Sequence, residues 1–135
     1  MDAQFDVMVP VRVDLSGGWT DVNPYCTDFG GEVINFTINK YVKARVDLME
    51  GITYDFDVPI GSGLGTSGSV NVARIALLGK DQNLSLNEIA EAAYQAEIKS
   101  GNKCGRQDQW AATFGGFNRF MFHGENVEIM PFEPA

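Results

Sequence analysis

The chain has 135 residues, enough for one domain with a substantial core. Its 44% hydrophobic and 21% charged residues are those of an ordinary globular protein, and no apolar run approaches the roughly 18 residues of a membrane span, so no membrane partner is expected. A net charge of −8 and a pI of about 4.4 argue against nucleic acid as a partner, although a local phosphate site built from backbone N–H groups needs no basic side chain.

In chain order, "FDVMVPVRVDL" alternates Val7, Val9, Val11, Val13 and Leu15 against Met8, Pro10, Arg12 and Asp14, the period of a half-buried strand. Pro10 has no N–H to donate, which predicts an edge position or a bulge. After a Gly30-Gly31 turn, "GEVINFTIN" reads as a second strand. "YVKARVDLM" and "ITYDFDVP" alternate in the same way, and Glu50-Gly51 between them predicts a tight hairpin. A glycine-rich loop follows, and then a helix to about Lys80. Ser85-Leu86-Asn87-Glu88 is a capping box opening a second helix to about Ser100. A short third helix is expected over Gln107 to Phe114, and "FNRFMFHG" with "NVEIMPFE" forms a closing hairpin. The pattern predicts one α+β domain, a mostly antiparallel sheet with helices packed on one face.

Two features carry chemistry. In the second helix Leu86, Ile89, Ala90 and Ala93 form the apolar stripe, and at 100° per residue Glu97 falls on it. A carboxylate facing a core must be paired, metal-bound or near enough to the helix end to reach water. The other feature is "PIGSGLGTSGSVN", which turns strand into helix with Gly61, Gly63 and Gly65 at alternate positions. Such a loop brings backbone N–H groups and the helix dipole to a phosphate. Ser67 can offer a hydroxyl to Mg²⁺, and Glu97 a carboxylate to the same ion. The spacing is neither that of a P-loop nor that of a dinucleotide-binding fold.

Three segments in this order, "PVRVDLSGGWTDVNPYC", "PIGSGLGTSGSVN" and "EIKSGNKCGRQDQWAATFGGFN", resemble the GHMP kinases. The first and third look most like the sugar branch, the fucokinases and heptose-phosphate kinases. The resemblance covers nearly the whole chain and implies an ATP- and Mg²⁺-dependent kinase domain acting on a sugar or sugar phosphate. By that resemblance Gly61, Ser62, Gly63, Leu64, Gly65, Thr66, Ser67 and Gly68 form the phosphate-binding loop. Ser67 and Glu97 match the metal-binding positions, and Asp108 matches the carboxylate that acts on the attacking hydroxyl. Arg12 matches a cation beside the transferred phosphoryl group. Gly17, Gly18, Trp19, Thr20 and Asp21 match the substrate-recognition turn, and Gln109 is expected to line the substrate pocket.

Plainer roles compete with these. Arg12 has Asp14 or Asp28 as surface partners, Trp19 suits a core aromatic and Asp21 a turn cap. Thr66 reads as a helix cap and Arg106 as a solvated loop cation. His123, at a hairpin turn, is not expected to be catalytic. Cys26 and Cys104 match no zinc spacing and read as free thiols of a cytoplasmic protein, Cys104 without a partner base.

The sequence also departs from the family. It reads as a shortened N-terminal domain, 1–135, without the C-terminal domain, and a hairpin replaces the excursion that helps enclose the nucleotide base. Gly68 stands where a small side chain is more usual. A non-catalytic nucleotide- or sugar-binding or assembly module on the same fold is therefore the alternative to a kinase. The apolar helix "VNVARIALL" and Phe114, Phe117, Phe120 and Phe122 are expected to leave an exposed patch, which predicts a homodimer.

Overall fold

The segments 31–39 and 41–49, which read as separate strands, run together as one. In the computed structural model, which describes residues 5–133, the strands are β1 (Val7–Ser16), β2 (Gly31–Asp47), β3 (Gly51–Phe56), β4 (Phe117–His123) and β5 (Asn126–Pro131). The helices are α1 (Tyr25–Phe29), α2 (Thr66–Leu78), α3 (Leu86–Lys99) and α4 (Gln107–Phe114). No glycine or proline interrupts β2 after Gly31, so nothing in the backbone forces a turn at Asn39-Lys40.

All strand pairs are antiparallel. The sheet order is β1-β2-β4-β5, and β3 pairs with the far half of β2. One side of β2 therefore carries β1, while its other side is shared between β4, opposite Gly31 to Phe36, and β3, opposite Val42 to Asp47. β1 is an edge strand, and its register slips between Pro10 and Arg12, so both expectations for Pro10 hold.

That slip corrects the face assignment of β1. On one side of it Val7 and Val9 stand opposite Ala44 and Val42; beyond it Arg12 and Asp14 stand opposite Thr37 and Asn35. Uninterrupted alternation would put Val13 and Leu15 in the core and turn Arg12 and Asp14 away. Instead Leu15 is 54% exposed, and Arg12 and Asp14 both bond to α4 side chains. A register break re-aims side chains, and here it aims charged ones at the helices.

Val9, Val11, Val42 and Ala44 pack under Val72, Ala73 and Leu77 of α2, while Val33, Phe120 and Phe122 pack against Trp110 and Ala111 of α4. α3 lies against α2 and α4. Its capping box forms as expected: Ser85 Oγ accepts from the Glu88 N–H and Glu88 Oε1 from the Ser85 N–H, each at 3.1 Å. The five-residue α1 was not expected, being too short to show a period.

The expected apolar patch is smaller than the sequence predicts. Phe120 and Phe122 are 0% and 2% exposed, and Val72, Ala73 and Leu77 are buried between sheet and α3. Burial of each phenyl ring is worth about 2–3 kcal/mol to this fold. Of the residues expected to form the patch behind a homodimer, Phe117 and Leu78 stay exposed, at 42% and 59%. Cys26 and Cys104 are free, and among the described residues no helix is long and apolar enough to cross a membrane.

Candidate active site

The glycine loop ends in a left-handed residue, Gly65 at φ 71°, which serves as N-cap of α2. The first helical hydrogen bond joins the Ser69 N–H to the Gly65 carbonyl at 3.1 Å. The N–H groups of Thr66, Ser67 and Gly68 precede it, as the first turn of a helix leaves its donors free for an anion. Thr66 is not the cap: it lies inside the helix, and its buried Oγ1 has no partner among the described residues. Gly61, Ser62 and Gly63 are exposed, whereas Leu64 is half-buried against the core. The loop is tied to β1 by the Arg12 N–H to the Leu64 carbonyl, 3.0 Å, and by Arg12 Nη1 to the Gly63 carbonyl, 2.9 Å.

Arg12 pairs with neither Asp14 nor Asp28 but with Asp108. Its Nε and Nη2 both lie 2.8 Å from Asp108 Oδ1, which leaves Oδ2 without a hydrogen-bond partner among the described residues. Gly68 explains how α4 comes so close. A Cβ there would lie 2.6 Å from Asp108 Cβ, so the departure from the family's small side chain belongs to this helix approach.

Glu97 is 4% exposed, which excludes a fraying, water-reaching helix end. Ser67 Oγ donates to its Oε1 and Asn71 Nδ2 to its Oε2, both at 2.7 Å. Among the described residues no basic side chain forms a salt bridge with it. A buried carboxylate held by neutral donors alone, with a serine hydroxyl at one oxygen, fits a divalent cation.

The segment 17–21 forms the far wall. Gly17 has φ +89°, and a Cβ on it would overlap the Glu32 carbonyl oxygen at 1.9 Å, so only glycine fits. Gly18 packs on the Asp14 carboxylate. Trp19 is 73% exposed with φ +77°, a strained backbone on an open aromatic, not a core residue. Thr20 is engaged in the turn, its Oγ1 donating to the Gly17 carbonyl at 2.7 Å and accepting the Glu32 N–H at 3.0 Å. Asp21 is 5% exposed; Oδ2 accepts the Gln107 N–H at 3.1 Å, and Oδ1 has no partner among the described residues. Burial pushes its carboxyl above the usual range, helped by the charges of Asp108 and Asp14 and opposed by the Gln107 N–H. Gln109 is 1% exposed and lines neither cleft; Gln107, bonded to Asp14 and Asn35, lines the one beside Asp21.

These residues surround two adjoining clefts. One, of about 370 Å³, is lined by Asp14, Trp19, Asp21, Glu97, Lys103 and Gln107 among others. The second, of about 540 Å³, has an apolar wall of Phe56, Ile60 and Val70 and includes the glycine loop. Arg12, Ser67 and Asp108 line both, so they form the partition.

Two neighbours have structural roles. Arg106 is not a solvated cation: it is 5% exposed, gripped by Glu91 through two bonds of 2.9 Å, donates to the Gly124 carbonyl at 2.8 Å and stacks 4.2 Å from the Tyr94 ring centroid. Cys104 lines the smaller cleft, but burial and then the charges of Glu97 and Asp108 push its thiol up to about 12, so it stays protonated and unreactive. His123 ends β4, away from both clefts.

Sequence reading missed Asp14, Gln107, Asn71 and the apolar wall. Asp14 was concealed by the register slip. Asn71 was legible, since it lies four residues after Ser67 and so on the same helix face.

A glycine loop opening a helix, a carboxylate bonded to the loop's serine and an arginine–aspartate pair thus meet at one place on this fold. The chain belongs to the GHMP kinases: residues 32–116 match the GHMP kinases N terminal domain. It is 32% identical to a D-glycero-alpha-D-manno-heptose 7-phosphate kinase of Campylobacter jejuni, over 90% of this chain and 51% of that protein. That alignment runs over 175 positions against a chain of 135, so the relative carries internal segments without a counterpart here. A mevalonate kinase of Archaeoglobus fulgidus is 36% identical over 61% of this chain and 29% of its own length. Among solved structures, a D-glycero-D-manno-heptose 1-phosphate kinase from Bacteroides thetaiotaomicron matches with TM-score 0.79 and 27% identity, over 95% of this chain and 60% of that one. The mevalonate kinase of Methanococcus jannaschii, at TM-score 0.66 and 14% identity, over 94% of this chain and 56% of that one, shares the fold. The chain thus spans about half the length of the heptose kinase relative.

Proposed function

We propose that this chain is the N-terminal, ATP-binding half of a sugar or sugar-phosphate kinase. The observation that carries the reading is the partition: Arg12, Ser67 and Asp108 belong to both clefts, so groups bound on either side meet there. ATP occupies the cleft with the apolar wall, its base against Phe56, Ile60 and Val70 and its phosphates on the N–H groups of residues 61–68. The sugar occupies the other, with hydroxyls on Asp21 Oδ1 and a ring face on Trp19, over the Gly17-Gly18 turn.

In the transfer the acceptor oxygen forms a bond to the γ-phosphorus while the bond to the β,γ-bridging oxygen breaks, and ADP leaves. The hydroxyl proton passes to Asp108 Oδ2, the oxygen that Arg12 leaves free. Arg12, fixed against both Asp108 and the Gly63 carbonyl, stabilises charge on the transferred group. Ser67 and Glu97 would hold magnesium, which neutralises phosphate charge when bound. Positioning and charge neutralisation are what phosphoryl transfer needs most.

The test is ADP release over a panel of sugars and sugar phosphates, with Asp108→Asn beside the parent. Loss of the positioned carboxylate should lower kcat on the order of 10²-fold or more, with nucleotide affinity unchanged. Parental turnover in Asp108→Asn would place the base elsewhere. Nucleotide binding by the parent without turnover of any acceptor would favour the non-catalytic binding module.

A further inference from the structure

Asn71 has no part in the reading above, yet it makes the second of Glu97's two short contacts. Its Nδ2 donates to Glu97 Oε2 at 2.7 Å and also to the Ser67 carbonyl at 3.1 Å, one helical turn earlier. The amide is thereby fixed to the same turn of α2 that carries the Ser67 hydroxyl, which holds Oε1 at 2.7 Å. Asn71 is half-buried and lines the cleft with the apolar wall, whereas Glu97 lines the other. The carboxylate is thus gripped at both oxygens across the partition, by neutral donors only.

We propose that Asn71 is a positioning residue that withholds Oε2 of Glu97 and presents Oε1, beside Ser67, as a single oxygen to a divalent cation. This rests on the reading of Ser67 and Glu97 as the magnesium site. Mg²⁺ takes single oxygens in a small, regular octahedron, whereas Ca²⁺ accepts bidentate carboxylates at longer distances. A glutamate with one oxygen occupied by an amide suits the smaller ion. Without that amide the carboxylate is free to rotate and offer both oxygens, and the preference relaxes. Asn71 therefore sets the choice of metal without touching metal or substrate.

The probe is a non-hydrolysable ATP analogue titrated by calorimetry in Mg²⁺, in Ca²⁺ and in chelator. The proteins are the parent, Asn71→Leu, Glu97→Gln and the double variant, each checked for a ligand-free melting midpoint. The parent should bind tighter in Mg²⁺ than in Ca²⁺. Asn71→Leu should lose on the order of tenfold of the Mg²⁺-dependent gain, as removal of a partner behind a metal ligand does, while affinity in chelator holds and the Mg²⁺-to-Ca²⁺ ratio falls. In the Glu97→Gln background Asn71→Leu should change nothing further. If the leucine variant does not fold, Asn71→Ser, too short to reach Oε2, replaces it with the same expectation. A folded variant with the parental ratio would overturn the role of Asn71 while leaving the metal site standing. A parent indifferent to both cations would overturn the metal reading, and this inference with it.

Discussion

Gly68→Ala adds one methyl group at the closest approach of two helices. That carbon would lie 2.6 Å from Asp108 Cβ, and 3.3 and 3.5 Å from the Asp108 carbonyl carbon and Cα. None of these is the end of a flexible side chain, so α4 itself must give way. Restoring ordinary contact takes a displacement of about 1 Å. Overpacking of this kind costs about 1–3 kcal/mol, and alanine returns up to about 1 kcal/mol as the better helix former. The net loss is therefore about 0–3 kcal/mol, a fall in Tm of up to about 12 °C for a chain of this size. Function should suffer far more. A shift of about 1 Å at a positioned catalytic group is worth roughly 10²-fold in rate, and Asp108 would move relative to both Arg12 and the acceptor. Nucleotide affinity should hold, because the loop keeps its N–H groups. Urea unfolding, calorimetry and coupled ADP release separate the three quantities. Parental Tm together with parental kcat would refute the close apposition of α2 and α4. A lowered Tm with unchanged kcat would refute the positional role of Asp108.

Arg106 and Asp21 give tests of opposite sign. The Arg106 hydrogen bonds hold the Glu91 carboxyl below its ordinary value of 4.5, so this pair stabilises the fold above about that pH and the contribution is lost as pH falls through the lower folded value. Glu91→Gln should remove that acid limb in urea midpoints taken from pH 7 downward. It should also cost about 3 kcal/mol at pH 7, the low end for a broken buried pair because Glu91 is partly solvated; an unchanged midpoint would mean that Arg106 finds other partners. For Asp21, burial lifts the folded value above 3.8, so stability is greatest below that pH and declines as pH rises through the folded value. Asp21→Asn should raise the pH 7 midpoint and flatten this decline while weakening sugar binding; a variant less stable than the parent at pH 7 would show that the charge is compensated.

Local signals carried most of the fold into the sequence, and the misses share a cause. The capping box, the helix limits and the Glu50-Gly51 hairpin depend on neighbours within a few residues, and they form as read. Glu97 was legible because helical periodicity is strict, and it lies where the stripe puts it, buried and bonded to Ser67. Periodicity failed where register depends on a partner strand. Pro10 in "PVRVDL" marks an edge or a bulge but not which side chains the slip re-aims, so the pattern placed Val13 and Leu15 in the core. Arg106 and Phe120 were misjudged because their burial comes from distant residues, Glu91 and Tyr94 in one case and the helix layer in the other. Gly68 looked like a departure until the position of α4 supplied the reason.

The register slip in β1 also settles the electrostatics of the site. Asp14, Asp21, Glu97 and Asp108 all border the smaller cleft, and the cations that line it are Arg12 and Lys103. Gathering carboxylates in one low-dielectric space raises the cost of keeping each ionised. The rise of the Asp21 carboxyl, to which Asp108 and Asp14 contribute, is one expression of that cost. With regular alternation Arg12 would turn to the other side of the sheet, and Asp108 would join this cluster without a counter-charge. The slip instead places the guanidinium 2.8 Å from Asp108 and 2.9 Å from the glycine-loop carbonyl. The same strand thus gives its regular half, Val7 to Val11, to the core and its displaced half, Arg12 and Asp14, to the site. An irregularity that would weaken a purely structural strand is here what sets a guanidinium against Asp108 at the boundary between the two clefts.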